Sequence, residues 1–184
     1  MPPMKYLSHG FTLIELLVTM TVAAILVGLA VPAFTSFLQN DRDTGQINSL
    51  VASLNYARSE AVKRASPNGI IVCPSTDGVN CVVTASWING WIVKYVDPLV
   101  PANDVVLQNV PALSGTNTVN TDVGPAGAIT FSSSGGASAD MTIRVCDTRG
   151  GAFARQVEIL KTTGRIAASQ KPGQSVAGAA LACP

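Results

Sequence analysis

The chain has 184 residues, 47% of them hydrophobic and only 12% charged, with a formal net charge of +1 at pH 7. That length admits one modest domain plus a long helix, and the overall charge points to no polyanion partner. The single histidine, His9, and the lack of any Cys-x-x-Cys pair speak against a zinc site, and no Gly-rich phosphate loop opens a helix.

The chain begins with a basic and polar leader, MPPMKYLSHG, followed by the apolar run Phe11 to Leu38. From Phe11 to Val31 the one charged residue is Glu15. At about 1.5 Å per residue this stretch spans roughly 31 Å, the thickness of a bilayer core. Apolar residues cover every face, which predicts a membrane helix and not an amphipathic surface helix. A secretory signal peptide fits less well. No small-x-small cleavage site follows the run, and Pro32-Ala33-Phe34-Thr35 leads into more helix-compatible sequence. A carboxylate placed in lipid is costly and marks Glu15 as a functional residue. Lys5 precedes the run and no lysine or arginine follows until Arg42, so the leader is expected inside and the rest exported.

These residues carry a resemblance. Gly10-Phe11-Thr12-Leu13-Ile14-Glu15-Leu16-Leu17-Val18 resembles the class III signal of type IV pilins and pseudopilins. The resemblance implies that a prepilin peptidase cuts between Gly10 and Phe11 and methylates the new amino terminus, while the apolar helix stays in the mature protein. Pro32 matches the family position where the helix kinks or melts. Loss of the leader would remove Lys5 and leave eleven basic against eleven acidic side chains.

Beyond the apolar run, Asn40 to Gly45 reads as a soft spot and not a stop. Ile47, Leu50, Val51, Leu54, Ala57, Ala61 and Val62 then recur at helical spacing, with Arg58, Glu60, Lys63 and Arg64 largely off the stripe. Ser66-Pro67-Asn68-Gly69 ends this amphipathic helix. From Gly69 the pattern changes to short strands: Gly69–Cys73, a β-rich run Trp87–Tyr95, Asp104–Gln108 and Ala128–Phe131. Asn89-Gly90 inside the second run is expected to form a hairpin turn or a bulge. Pro111 to Gly127 is expected to be a long exposed loop. Met141, Ile143 and Val145 alternate with polar residues, as do Val157 and Ile159, with Asp147 to Gly151 as the hairpin loop between them. Gly164–Ala168 is a last strand before a Gly/Ala-rich tail from Ser169. The fold class expected is α+β: a long amino-terminal transmembrane and amphipathic helix packed on a carboxy-terminal antiparallel β-domain. Its boundaries are 1–10 leader, 11–38 transmembrane or filament-core helix, 39–66 amphipathic helix and 67–184 periplasmic β-domain.

Cys73, Cys81, Cys146 and Cys183 make an even count, which suggests disulfides of an oxidising compartment. Three connectivities are possible. The pairing expected is Cys73–Cys81, a short loop, and Cys146–Cys183, which would staple the tail to the last sheet; free buried thiols are the alternative. Trp87 and Trp91 read as strand or core residues before a binding platform. Asp77, Asp97, Asp104, Asp122, Asp140 and Asp147 read mostly as turn residues. With no histidine left after processing, a Ser-His pair is unavailable. The mature chain is read as no enzyme, with no cofactor and no small-molecule substrate.

The helix segment Asn55-Tyr56-Ala57-Arg58-Ser59-Glu60-Ala61-Val62-Lys63-Arg64 narrows the resemblance to the FimT/GspH group of minor pilins and pseudopilins. Trp87-x-x-Gly90-Trp91-Ile92-Val93, Val145-Cys146-Asp147 and the Gly164-Arg165 turn are similar to that group as well. The resemblance implies two β-sheets against the helix, and a structural subunit of a type IV pilus or of a type II secretion pseudopilus. Its partners would be other pilin or pseudopilin subunits and inner-membrane lipid. Glu15 would pair with the amino group of Phe11, its own or a neighbour's. The alternative is DNA capture for natural transformation. In FimT-like proteins that activity resides in a Gly-Arg-x-Arg patch. Here Lys161 and Arg165 stand in the matching segment, but Ala167 replaces the second arginine. From Arg144 to Lys171 six basic residues face two acidic ones, a local charge of +4.

Overall fold

The computed structural model describes residues 10–82, 86–97, 99–123 and 127–183. Lys5 and His9 of the leader lie outside the described residues. The chain divides into two compact units, Met1–Asp41 and Arg42–Pro184. Helix α1 (Leu13–Arg64) contributes to both.

In the first unit every residue from 10 to 38 is exposed. In the second unit the same helix buries one stripe: Ile47, Leu50, Leu54, Ala57 and Ala61. The intervals of three and four residues put these side chains on one face. The helix stops where Ala65 takes a left-handed φ of 46°, the Ser66 N–H donates to the Ala61 carbonyl, and Pro67 follows.

Among the described residues eight strands follow: β1 (Ile70–Pro74), β2 (Trp91–Tyr95), β3 (Val105–Val110), β4 (Thr118–Val123), β5 (Ile129–Phe131), β6 (Met141–Cys146), β7 (Arg155–Ile159) and β8 (Ile166–Ala168). They form two four-stranded sheets with the orders β3-β2-β1-β5 and β4-β6-β7-β8, and every strand pairing is antiparallel. The first sheet offers Ile70, Val72, Trp91, Val93, Ile129 and Phe131 to the core. The second offers Val119, Met141, Ile143, Val145, Val157 and Ile159. Together with the helix stripe these form one apolar cluster, which is the α+β arrangement the periodicities called for.

Three expectations are corrected. Pro111 to Gly127 is not a continuous loop, because Thr118–Val123 is strand β4, paired with β6 from Thr118↔Cys146 to Val123↔Thr142. Val119 of this strand joins the apolar cluster, but its Thr/Asn-rich sequence reads as a turn region although β-branched residues favour the strand. Its residues 124–126 lie outside the described residues. Asn89-Gly90 is neither a hairpin turn nor a bulge inside one strand Trp87–Tyr95; the register shift of this region lies between Val93 and Lys94, where β2 pairs with β3. Trp87–Asn89 is a 3-10 turn, capped by the Ser86 hydroxyl, and β2 starts only at Trp91. Gly90 makes the junction at φ 98°, where an added Cβ would lie 2.4 Å from the Val110 carbonyl oxygen. The link between β6 and β7 is also longer than Asp147–Gly151, since a 3-10 turn at Gly151–Phe153 completes it.

Candidate functional site

Thr12 sits just before α1. Its hydroxyl oxygen accepts the Glu15 N–H at 3.3 Å, and its carbonyl accepts the Leu16 N–H at 3.2 Å. The Thr-x-x-Glu spacing is that of a capping box, and it places the Glu15 carboxylate in the first turn, the favourable end of the helix dipole. Gly10 and Phe11 precede this cap, with Phe11 77% exposed. The helix that follows has a window of mean hydropathy 2.4 with none of it buried. The hydroxyls of Thr19, Thr21 and Thr35 donate to the carbonyls of Leu16, Val18 and Pro32 at 2.8–2.9 Å. Their O–H groups are thus satisfied within the helix, as a segment without water contact requires. Pro32 lies inside α1, and the helical run continues past it.

Lys161 and Arg165 flank the tight turn between β7 and β8, and both are exposed. The Gly164 N–H donates to the Leu160 carbonyl at 2.8 Å, and the Leu160 N–H to the Arg165 carbonyl at 2.9 Å. Gly164 has φ 58°, and a Cβ there would fall 1.9 Å from the Gly135 carbonyl oxygen. Arg58 of α1 ties this turn to its neighbour, donating to the carbonyls of Gly135 at 3.0 Å and Thr163 at 2.9 Å. The rest of the +4 stretch is not gathered here. Arg149 lies in the β6–β7 connection, at the other end of β7, and Arg144 donates to the Ala182 carbonyl at 2.7 Å. Ala167 is half-buried in β8, opposite Glu158.

Sequence reasoning missed a buried polar cluster. Asp43 of α1 is 4% exposed. It accepts from Asn117 at 2.7 Å through Oδ1 and from Arg149 at 3.2 Å through Oδ2. Asn117 also donates to the Gln46 side chain at 2.6 Å, and Gln46 donates to the Ser114 carbonyl at 2.8 Å. Arg149 closes a second ion pair with Asp147 and stacks on Phe153, 4.2 Å from the ring centre. Burial raises the Asp43 carboxyl above its ordinary pKa, and nearby Asp147 adds to this, against the hydrogen bond from Asn117. Burial also acts to raise Asp147, but the hydrogen bonds from Arg149 outweigh it and hold that carboxyl below the usual range. Asp43 and Arg149 are 106 positions apart, so no local pattern could have joined them. The cluster fastens the start of the second unit's helix to the β6–β7 connection.

The cysteines form Cys73–Cys81 and Cys146–Cys183. Cys73 is in β1 and fully buried, and Cys146 ends β6. Trp87 and Trp91 are 2% and 1% exposed with ring centres 6.2 Å apart, which makes them core residues. Asp77 accepts the Asn80 and Val79 N–H groups, and Asp97 those of Val100 and Leu99. These hydrogen bonds depress both carboxyls. Asp104 is held low by its ion pair with Lys94 at 3.0 Å. Asp122 lies in strand β4 and not in a turn.

Residues 46–163 match the family described as type II transport protein GspH, and residues 6–31 match the prokaryotic amino-terminal methylation motif. No curated protein matches the chain. Among solved structures it is similar to the type IV minor pilin FimU of Pseudomonas aeruginosa, in two crystal forms. One is 22% identical with a TM-score of 0.55, over 73% of this chain and 98% of that one. The other is 23% identical with a TM-score of 0.53, over 70% and 94%. At such identities the likeness speaks to the fold, which is that of a pilin. The GspH match covers more than half of the chain, and with the methylation motif at its amino end it shows that the chain belongs to the GspH family, as a structural subunit of the minor pilin and pseudopilin kind.

Proposed function

We propose that the chain is cut by a prepilin peptidase between Gly10 and Phe11 and methylated on Phe11. It then waits in the inner membrane with residues 39–184 in the periplasm and enters a type IV pilus or a type II secretion pseudopilus. Residues 1–10 would be the leader, 11–38 the membrane and filament-core helix, 39–66 the amphipathic helix and 67–184 the β-domain. The observation that carries this reading is the exposure of every residue from 10 to 38 around the single charge of Glu15. Such a surface is stable only in lipid or among other apolar helices. In the filament the Glu15 carboxylate meets the charged amino group of Phe11, its own or a neighbour's, which turns a desolvation cost into a register lock. Two disulfides beyond Asp41 support the periplasmic address. Intact-mass analysis of the protein from peptidase-competent cells tests the processing step. A mass starting at methylated Phe11 is expected, and a Met1 terminus beside normally processed pilins contradicts it.

DNA capture is the subordinate reading, favoured only by the exposure of Lys161 and Arg165 on one turn. With two or three phosphate contacts, binding would fall with salt at a log–log slope of about −2 to −3. Little or no binding is expected at physiological salt. Micromolar binding that disappears on joint Lys161→Gln and Arg165→Gln substitution would reverse the ranking.

A further inference from the structure

The residues beyond the GspH match include a tail that the family likeness does not reach. It folds back on itself. The Leu181 N–H donates to the Gly173 carbonyl at 2.9 Å, and Gln174 bridges Ala180. It is seated on the β6–β7 connection by the Gly173 N–H, which donates to the Ala154 carbonyl at 2.8 Å. Two glycines permit the approach: a Cβ on Gly151 would lie 2.3 Å from the Leu181 oxygen, and one on Gly173 2.5 Å from the Ala152 oxygen.

Along β6 the core face carries Met141, Ile143 and Val145, so Arg144 and Cys146 point to the outer face of the second sheet. Gln156 pairs with Arg144 across β7 and shares that face. Yet Cys146 is 2% and Gln156 7% exposed, while Thr142 and Glu158, further along the same face, are half-exposed. The outer face is therefore covered at one end only, where Cys183 joins Cys146 and the Ala182 carbonyl accepts from Arg144. Asn120, in the same cross-strand row as Arg144, adds a half-buried amide to that face.

We infer that residues 174–183 form a strap, latched by the Cys146–Cys183 bond, over a polar patch on the outer face of the second sheet, and that opening the latch frees the strap while the rest of the domain stays folded. The latch opens by thiol–disulfide exchange with a dithiol. Two electrons and two protons convert the Cys146–Cys183 bond to two thiols, and the dithiol becomes a disulfide. This inference rests on the disulfide and the sheet packing and is independent of the filament reading.

The test uses the full chain in detergent micelles, comparing the parent with a Cys146→Ser/Cys183→Ser variant and with parent treated with dithiothreitol. Amide hydrogen exchange over residues 174–183 should accelerate by about tenfold or more in the variant, with β1, β2, β6 and β7 protected as before. Elastase should cut between Val176 and Ala182 in the variant and the reduced parent and spare the oxidised parent. A Gly173→Val variant with both disulfides intact should loosen the tail less than loss of the latch does. Unchanged exchange in the tail after the latch is removed would overturn the inference, since the seat alone would then hold it. Loss of protection throughout the second sheet would overturn it as well, because the tail would then be part of the domain's fold.

Discussion

The two parts of α1 obey different rules. Between Leu13 and Asp41 apolar residues lie on every face and, up to Leu38, none is covered. Between Arg42 and Arg64 one stripe is buried and the other faces carry Arg58, Lys63 and Arg64. The second part finds its cover within the chain, on two sheets. The first finds none there, so its apolar surface is specified for lipid or for other helices. Domain stability should then depend on residues after Asp41, and membrane and filament placement on residues before it.

The largest stability effect should come from the buried charges. Arg149→Met strands Asp43 and Asp147 without their shared cation and should cost about 3–5 kcal/mol in denaturant unfolding. Asp43→Asn keeps an acceptor for Asn117 and leaves Arg149 with Asp147, so it should stay within about 1 kcal/mol of the parent. Leu54, fully buried on the helix stripe, should cost about 3 kcal/mol as Leu54→Ala. Replacing Cys73 and Cys81 together by serine should cost about 2.5 kcal/mol by the loop-closure relation for their short separation. Leu26→Ala, in the exposed part, should leave domain unfolding unchanged; a matching loss there would break the comparison.

Acid sharpens it further. Glu60 is lowered first by its hydrogen bond from Arg64, and Asp77, Asp97, Asp104 and Asp147 are lowered as well. A carboxyl with a depressed folded pKa lends stability above its unfolded value, near 4, and loses it as pH falls through the folded value. Asp43 is raised and acts in the opposite sense: its contribution is present below the unfolded value and is lost as pH rises through the folded one. Unfolding followed from pH 6 to pH 2 should show a net loss below about pH 4. Asp43→Asn should gain on the parent as pH rises above about 4, the unfolded carboxyl value.

What the sequence makes legible follows from how local the signal is. The apolar run with Glu15, the stripe from Ile47 to Ala61 and the alternation of Met141, Ile143 and Val145 are short-range patterns, and each became the element its period implies. Strand β4 was hidden because its sequence, Thr-Val-Asn-Thr-Asp-Val, sets two valines among polar residues common in turns. The Asp43–Asn117–Arg149 cluster was hidden by distance along the chain. Arg149 also shows why counting charge misleads: it adds to a basic stretch in the sequence, but in the fold it is enclosed by two carboxylates and Phe153.

The central claim is that Glu15 acts in filament assembly, through the Phe11 amino group of its own chain or a neighbour's, and not within the domain beyond Asp41. Its most direct measurement is the amount of a Glu15→Val variant that co-purifies with sheared filaments, relative to parent at equal membrane levels. The account predicts normal insertion, unchanged unfolding of the domain beyond Asp41 and a clear fall in filament incorporation, because the Phe11 amino group loses its partner. Incorporation equal to the parent's would contradict it.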